Sequence, residues 1–130
     1  MARMNLGAHH PIAFIPTREP AAARVFYEEA LGLTLESEDP FALVFRLGPA
    51  PGIMLRVVHV GSFTPAPFTI LGWETSTLEA DVDNLIARNV QFLRYGNLDQ
   101  DDRGIWTAPG ATRIAWFKDP DGNTLSLSQP

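Results

Sequence analysis

The sequence contains no cysteine among its 130 residues, which excludes disulfide bonds and thiolate metal ligands. No apolar run approaches the ~20 residues that a membrane-spanning helix needs, and the N-terminus lacks the apolar segment of a signal peptide. The formal net charge is −5, and the acidic residues are scattered, which argues against a nucleic-acid partner. We therefore expect a single domain in the cytoplasm, with no membrane or nucleic-acid partner.

The C-terminal segment carries the strongest local signal. Asp119–Asn123 reads Asp-Pro-Asp-Gly-Asn, in which proline and glycine set the dihedral angles of a tight turn while aspartate and asparagine bond the local backbone. The strand after it alternates, with Leu125 and Leu127 on one face and Thr124, Ser126 and Ser128 on the other. We place the candidate functional site on the polar face.

The chain also reads as two copies of one unit. Ile12–Ile15 and Ile70–Trp73 are short apolar strands, and each precedes a helix. The first helix is predicted from near Thr17 to Gly32, with an apolar stripe of Ala22, Val25, Phe26 and Ala30. The second helix begins near Ser76 and ends near Asn89. Three strands are predicted after each helix, at 33–38, 41–47 and 53–60 and at 91–95, 112–118 and 124–128, with a further short strand at 104–109.

The internal repeat also predicts which side chains share a face. Gly52 aligns with Gly122, so Arg56 takes the place of Ser126. Leu55 and Val57 then match Leu125 and Leu127 on the helix side. The alternate residues Met54, Arg56 and Val58 match Thr124, Ser126 and Ser128 on the functional face.

Two motifs in the right order give the chain a resemblance to a known family. Phe26-Tyr27 followed by Leu31-Gly32-Leu33, together with the Asp119–Asn123 turn, resembles the vicinal oxygen chelate superfamily of glyoxalase I, extradiol dioxygenases, fosfomycin-modifying enzymes and bleomycin-resistance proteins. The resemblance implies an α+β fold of two tandem βαβββ units, at about residues 8–61 and 67–130 of one domain spanning 1–130. It also implies a curved mixed sheet around a cleft, with the helices on the outer face.

The resemblance further implies where a metal would bind, since metal-binding members take one ligand from the first and last strand of each unit. Those positions fall near Ile12, Arg56, Ile70 and Ser126. Two are apolar and a guanidinium has no lone pair to donate, so we expect no metal and no other cofactor. The alternative is a divalent metal held by displaced ligands, for which His10, His59 and Glu74 are the candidates.

The ligand-binding residues are expected on the same face. Arg56 would bind an acidic group, or would instead form an ion pair with Glu74 or with an acidic residue of a partner subunit. Phe14 and Trp116 would stack on a ligand, as aromatic walls of small-molecule sites do. The remaining candidates are Ile12, Ile70, Thr124 and Ser126.

The leading hypothesis is a glyoxalase/bleomycin-resistance-type protein that binds a small acidic or aromatic molecule in its cleft without the metal. A metal-dependent lyase or dioxygenase with displaced ligands is the first alternative, and a non-catalytic interaction module with a filled cleft is the second. The resemblance to the bleomycin-resistance branch implies a homodimer. The residues do not decide between sequestration and catalysis, so enzymatic activity is left open.

Overall fold

The computed structural model describes residues 3–130, which form two compact units; the first ends at Ser62 and the second begins at Phe63. A single 3₁₀ turn, Leu6–Ala8, precedes the first strand. Unit 1 contains β1 (Ile12–Thr17), α1 (Pro20–Arg24) with a π-helical continuation (Val25–Ala30), β2 (Thr34–Glu38), β3 (Ala42–Leu47) and β4 (Ile53–His59). Unit 2 contains β5 (Thr69–Glu74), α2 (Leu78–Ala87), β6 (Trp106–Thr107), β7 (Arg113–Lys118) and β8 (Thr124–Gln129). Both units follow the βαβββ order, which confirms the predicted α+β fold class.

Unit 1 is a four-stranded mixed sheet in the order β1-β4-β3-β2. β1 pairs with β4 in parallel, and the remaining pairs are antiparallel. The helical segment packs Tyr27 on this sheet, with its ring centroid 5.9 Å from that of Phe45. The helix-side core consists of Ile15, Leu43, Phe45, Leu55 and Val57, which are almost fully buried. Leu55 and Val57 therefore lie on the predicted face.

The buried stripe of the first helix differs from the predicted one. Ala23 and Tyr27 are buried, whereas Ala22 and Val25 are exposed. Three consecutive alanines precede Arg24, so the sequence is compatible with more than one helical stripe. The stripe that buries the large ring of Tyr27 removes more apolar surface from water than one that buries Val25.

Unit 2 is a second four-stranded mixed sheet, in the order β5-β8-β7-β6. Its parallel pair β5–β8 contains a bulge, because Thr69 pairs with Thr124 and Leu71 with Leu125. The amide of Leu78 donates to Oε1 of Gln129 at 3.0 Å, which ties the start of α2 to the end of β8. The helix-side core consists of Leu78, Val82, Leu85, Ala115, Phe117, Leu125 and Leu127.

Two predicted strands of unit 2 are wrong in extent. Residues 91–95 form only an isolated bridge between Phe92 and Phe117, and the predicted 104–109 strand is reduced to Trp106–Thr107. The side chain of Gln100 explains the first difference. Its Oε1 accepts from the amide of Tyr95 at 2.7 Å, and its Nε2 donates to the carbonyls of Leu93 and Gly104 at 2.9 and 2.7 Å. Backbone groups that a strand partner would satisfy are thus bonded by a side chain.

Among the residues described, no helix is both long and apolar enough to cross a membrane.

Candidate functional site

The open face of unit 1 is the sheet face opposite its helix. Phe14 pairs with Arg56 across the parallel β1–β4 ladder, and Ile12 pairs with Met54. Directly paired residues project to the same side of a sheet, so Phe14 and Arg56, both predicted on this face, stand side by side. Phe14 is 61% exposed and Ile12 is 48% exposed. A cation therefore lies beside accessible apolar surface on this face.

The two arginines of this face have different surroundings. Arg46 binds Glu36 through two hydrogen bonds, Nε to Oε1 at 2.6 Å and Nη2 to Oε2 at 2.8 Å. These hydrogen bonds lower the pKa of Glu36 and raise that of Arg46. Arg56 forms no ion pair or hydrogen bond with a described residue of its own unit. Its fork of N–H donors is available within unit 1.

The charge of Arg56 acts on the carboxylate of Asp39 in the same unit. Its Oδ1 accepts from the amides of Phe41 at 2.7 Å and Ala42 at 2.9 Å. These two backbone hydrogen bonds lower the pKa of Asp39, and the charge of Arg56 adds a smaller lowering. Asp39 is therefore committed to capping the turn before β3 and does not form an ion pair with Arg56.

The open face of unit 2 carries an aromatic cluster, which we define as Tyr95, Trp106 and Trp116. The ring of Tyr95 meets that of Trp116 edge-on, with centroids 5.3 Å apart, and the rings of Trp106 and Trp116 lie 6.0 Å apart at a 31° tilt. Trp116 pairs with Ser126 across β7–β8. The predicted residues Trp116 and Ser126 are thus adjacent, and both are partly accessible.

Gly72 is a residue of this face that sequence reasoning missed. It pairs with Ser126, and a Cβ at this position would lie 2.7 Å from Oγ of Ser126. The absence of a side chain at Gly72 therefore makes room for the serine hydroxyl. Gly72 aligns with Phe14 in the repeat, and the change from a ring to a hydrogen atom at matched positions is a signal that the sequence contained.

The structure departs from an exact repeat at Ile70. Ile12 pairs with Met54, but Ile70 is the extra residue of the β5 bulge and has no partner in the ladder. The predicted equivalence of Ile12 and Ile70 therefore fails at the level of strand register. A bulge inserts one residue into one strand of a pair, and the alternation of apolar residues near 69–71 gives no sign of it.

A cavity of about 480 Å³ lies at the turn end of the unit 2 sheet, and we call it the turn cavity. Thr124, a predicted ligand-binding residue, is only 5% exposed and lines it. Lys118 pairs with Thr124 and also lines it. Its other walls include Pro65, Pro67, Arg94 and Tyr95.

The candidate metal ligands do not form a cluster. His10 is exposed and precedes β1, His59 is the exposed last residue of β4, and Glu74 is the exposed last residue of β5. Nowhere in residues 3–130 do three or more His, Asp or Glu side chains come close enough to hold a metal ion. The positions to which the resemblance assigns metal ligands hold two isoleucines, a guanidinium and a neutral hydroxyl, a set that does not fit a divalent cation.

Several solved structures share this fold. The antibiotic-binding protein TnmS3 from Streptomyces sp. CB03234 is 25% identical, with a TM-score of 0.70 over 95% of this chain and 96% of that one. A superfamily member from Sphaerobacter thermophilus DSM 20745 is 21% identical, with a TM-score of 0.71 over 95% and 98%. A lactoylglutathione lyase from Agrobacterium tumefaciens is 14% identical, with a TM-score of 0.72 over 94% and 93%.

Sequence comparison places these likenesses in one family. None of the curated proteins compared with this chain matches it. The model of one protein family matches residues 8–127, which is nearly the whole sequence. With the βαβββ order of both units and the shared fold of the solved structures, this match shows that the chain belongs to the Glyoxalase/Bleomycin resistance protein/Dioxygenase superfamily.

Proposed function

We propose that this protein binds a small organic molecule that carries an acidic group and an aromatic ring, and that it does so without a metal ion. The observation that supports this most directly is Arg56. It is a cation on the open face of unit 1 without a carboxylate bonded to it in that unit, and it stands beside the exposed ring of Phe14. In a ligand with an acidic group attached to an aromatic ring, the acidic group would bind Arg56 and the ring would pack on Phe14.

The chemistry of Arg56 favours an oxyanion. A guanidinium stays charged at all ordinary pH values, and its planar fork binds both oxygens of a carboxylate at once. Apolar side chains beside it reduce the local dielectric screening, which strengthens an ion pair formed with a ligand. Phe14 and Ile12 provide such surface. The same apolar surface contacts the ring of the ligand.

The aromatic cluster of unit 2 is a second surface suited to an aromatic ligand. Trp116 offers a partly accessible ring, and the hydroxyl of Ser126 is held next to it by strand pairing. Apolar and aromatic walls with few polar groups are typical of small-molecule sites. We propose that an aromatic molecule bound at this surface of unit 2 stacks on Trp116, while Ser126 donates or accepts a hydrogen bond.

The comparison with TnmS3 supports binding over turnover, because that relative is described as an antibiotic-binding protein. The donor set at the family's metal positions supports the same conclusion, since it offers no strong ligand to a cation. Absence of a resident metal, a homodimer and a cytoplasmic location remain predictions.

The test is calorimetric titration with 2-naphthoate and with neutral 2-naphthamide. We expect the parent protein to bind the anion more tightly, and Arg56→Gln to weaken 2-naphthoate binding by at least about tenfold, as expected for a lost charge-assisted hydrogen bond. Arg88→Gln is the matched control. It removes the same charge from an exposed arginine whose guanidinium contacts its own helix, at the carbonyl of Asn84.

Two results would contradict the proposal. One is equal weakening by Arg56→Gln and Arg88→Gln, which would mean that only net charge matters. The other is a stoichiometric divalent metal in protein purified without an affinity tag that is lost with His10→Ala, which would favour the metal-dependent lyase or dioxygenase. If the proposal is correct, prior treatment with a chelator leaves 2-naphthoate affinity unchanged.

A further inference from the structure

The turn cavity of unit 2 has an electrostatic character opposite to that of the whole chain. The formal net charge of the protein is −5, yet Arg94 and Lys118 line this cavity and no carboxylate does. Cations grouped in a concavity create a local positive potential that attracts anions even when the protein as a whole is acidic. All the residues that line this cavity belong to unit 2.

Lys118 is held by a rigid turn. It forms the last pair of the β7–β8 ladder, with Thr124 opposite, immediately before Asp119–Asn123. Oδ1 of Asp119 accepts from the amides of Asp121 and Asn123, both at 2.9 Å, and Oδ2 accepts from Nδ2 of Asn123 at 2.8 Å. The strand ends are therefore fixed, and with them the base of the lysine side chain. Lys118 is also the sole lysine of the sequence.

Arg94 lines the cavity from a different segment of the chain, the loop between α2 and β6. Its Nη2 donates to the carbonyl of Asp102 at 2.8 Å, which orients the guanidinium but does not neutralise it. No carboxylate of a described residue in unit 2 pairs with it. The Gln100 hydrogen bonds to Leu93 and Tyr95 fix the backbone on both sides of Arg94. Most of its N–H donors are left for a ligand.

The remaining walls suit a flat ring. Tyr95 is edge-on to Trp116 and 37% exposed, and Pro65 and Pro67 supply rigid apolar surface. A volume of about 480 Å³ is within the range of small-molecule sites. From these features we propose that the turn cavity is a second ligand site, which binds the oxyanion of an aromatic carboxylate or aryl phosphate between Arg94 and Lys118.

The single lysine makes a direct test available. Reductive methylation with ¹³C-formaldehyde keeps the positive charge and labels Lys118, whose signal is assigned by its loss in Lys118→Arg. The labelled full chain is titrated with benzoate, phenyl phosphate and neutral benzamide. We expect a saturable shift of the Lys118 signal with at least one anion and none with benzamide at the same concentration. A response to benzoate alone or to phenyl phosphate alone identifies which oxyanion the site takes.

Variants separate this site from the Arg56 face. Arg94→Gln should weaken the anion-induced shift by at least about tenfold in apparent affinity, whereas Arg56→Gln and Arg88→Gln should leave it unchanged. The proposal is overturned if neither anion gives a saturable shift, if benzamide shifts the signal equally, or if Arg56→Gln and not Arg94→Gln removes the response. If Arg56→Gln does not weaken 2-naphthoate binding while the Lys118 signal still responds to an anion, the proposed function is refuted and this site stands.

Discussion

Strands β4 and β8 occupy the same place in their units, but they present different chemistry on the open face. β4 carries Arg56 opposite Phe14, while β8 carries Ser126 opposite Gly72. The central helix-side residues of both strands, Leu55 and Val57 in β4 and Leu125 and Leu127 in β8, are apolar and buried. The duplicated topology therefore fixes which face is core and leaves the open face free to diverge, because burial constrains only the helix side.

The turns that precede these two strands are stabilised in different ways. In unit 2, Asp119 bonds the turn from within through its carboxylate. In unit 1, residues 48–52 are Gly-Pro-Ala-Pro-Gly and have no side-chain donor or acceptor. That turn depends on Gly52, which has φ of 70°, and a Cβ there would lie 2.5 Å from the carbonyl oxygen of Leu47. One turn relies on a side-chain network and the other on backbone freedom.

The largest expected effect follows from this difference. Asp119→Ala removes the acceptor for two buried amides, those of Asp121 and Asn123. Leaving buried donors unsatisfied should lower the free energy of unfolding by about 2–4 kcal/mol in urea denaturation. Ala50→Ser, in the exposed turn of unit 1, should change it by less than about 0.5 kcal/mol. Equal effects would show that the carboxylate network does not stabilise the turn.

A smaller effect is expected where Gly72 faces Ser126. Gly72→Ala should lower the free energy of unfolding by about 1 kcal/mol, because the new Cβ crowds Oγ of Ser126. In the Ser126→Ala background the contact with Oγ is removed and only the 3.3 Å approach to the carbonyl oxygen of residue 126 remains, so the same substitution should cost clearly less. Phe14→Ala, at the aligned and exposed position of unit 1, is the control and should have little effect. Additivity of the two unit 2 substitutions would contradict the crowding.

Much of this architecture could be predicted from the sequence because it follows from periodicity. The alternation of Leu125 and Leu127 with Ser126 specified the core face of β8, and alignment through Gly52 and Gly122 transferred that face to β4. Burial favours one register when one face is apolar. Helix and strand order follow from the same pattern, whereas the adjacency of Phe14 with Arg56 and of Trp116 with Ser126 was shown only by the strand register.

The errors in the structure predicted from the sequence occur where one side chain or one inserted residue overrides the apolar periodicity. Gln100 bonds the backbone around Leu93 and Tyr95, so an apolar segment that resembles a strand remains a loop. The bulge at Ile70 removes that residue from the ladder. The turn cavity was missed for a related reason. Arg94 and Lys118 are remote in sequence, and only the folded loop places both around one cavity.

The smallest expected effect is a difference in the pH dependence of Tm between variants of Arg46 and of Arg56, the two arginines on the open face of unit 1. The hydrogen bond from Arg46 lowers the pKa of Glu36 in the folded state. The unfolded chain therefore binds more protons as pH falls below the ordinary glutamate pKa of about 4.3, so the stabilisation is complete above that value and is lost as pH passes through the lowered folded-state pKa. Arg46→Met should reduce the acid-dependent fall in Tm between about pH 5 and pH 3, within the range where exposed carboxylates titrate.

Arg56→Met serves as the partner measurement on the same sheet face. The lowered pKa of Asp39 comes mainly from the amides of Phe41 and Ala42, and Arg56 contributes less. Removing Arg56 should therefore leave the acid-dependent fall in Tm close to that of the parent protein, although it removes the same positive charge as Arg46→Met. If Arg56→Met reduced that fall as much as Arg46→Met, the charge of Arg56 would be engaged by a carboxylate of the chain. An engaged Arg56 would leave no guanidinium free for an acidic ligand.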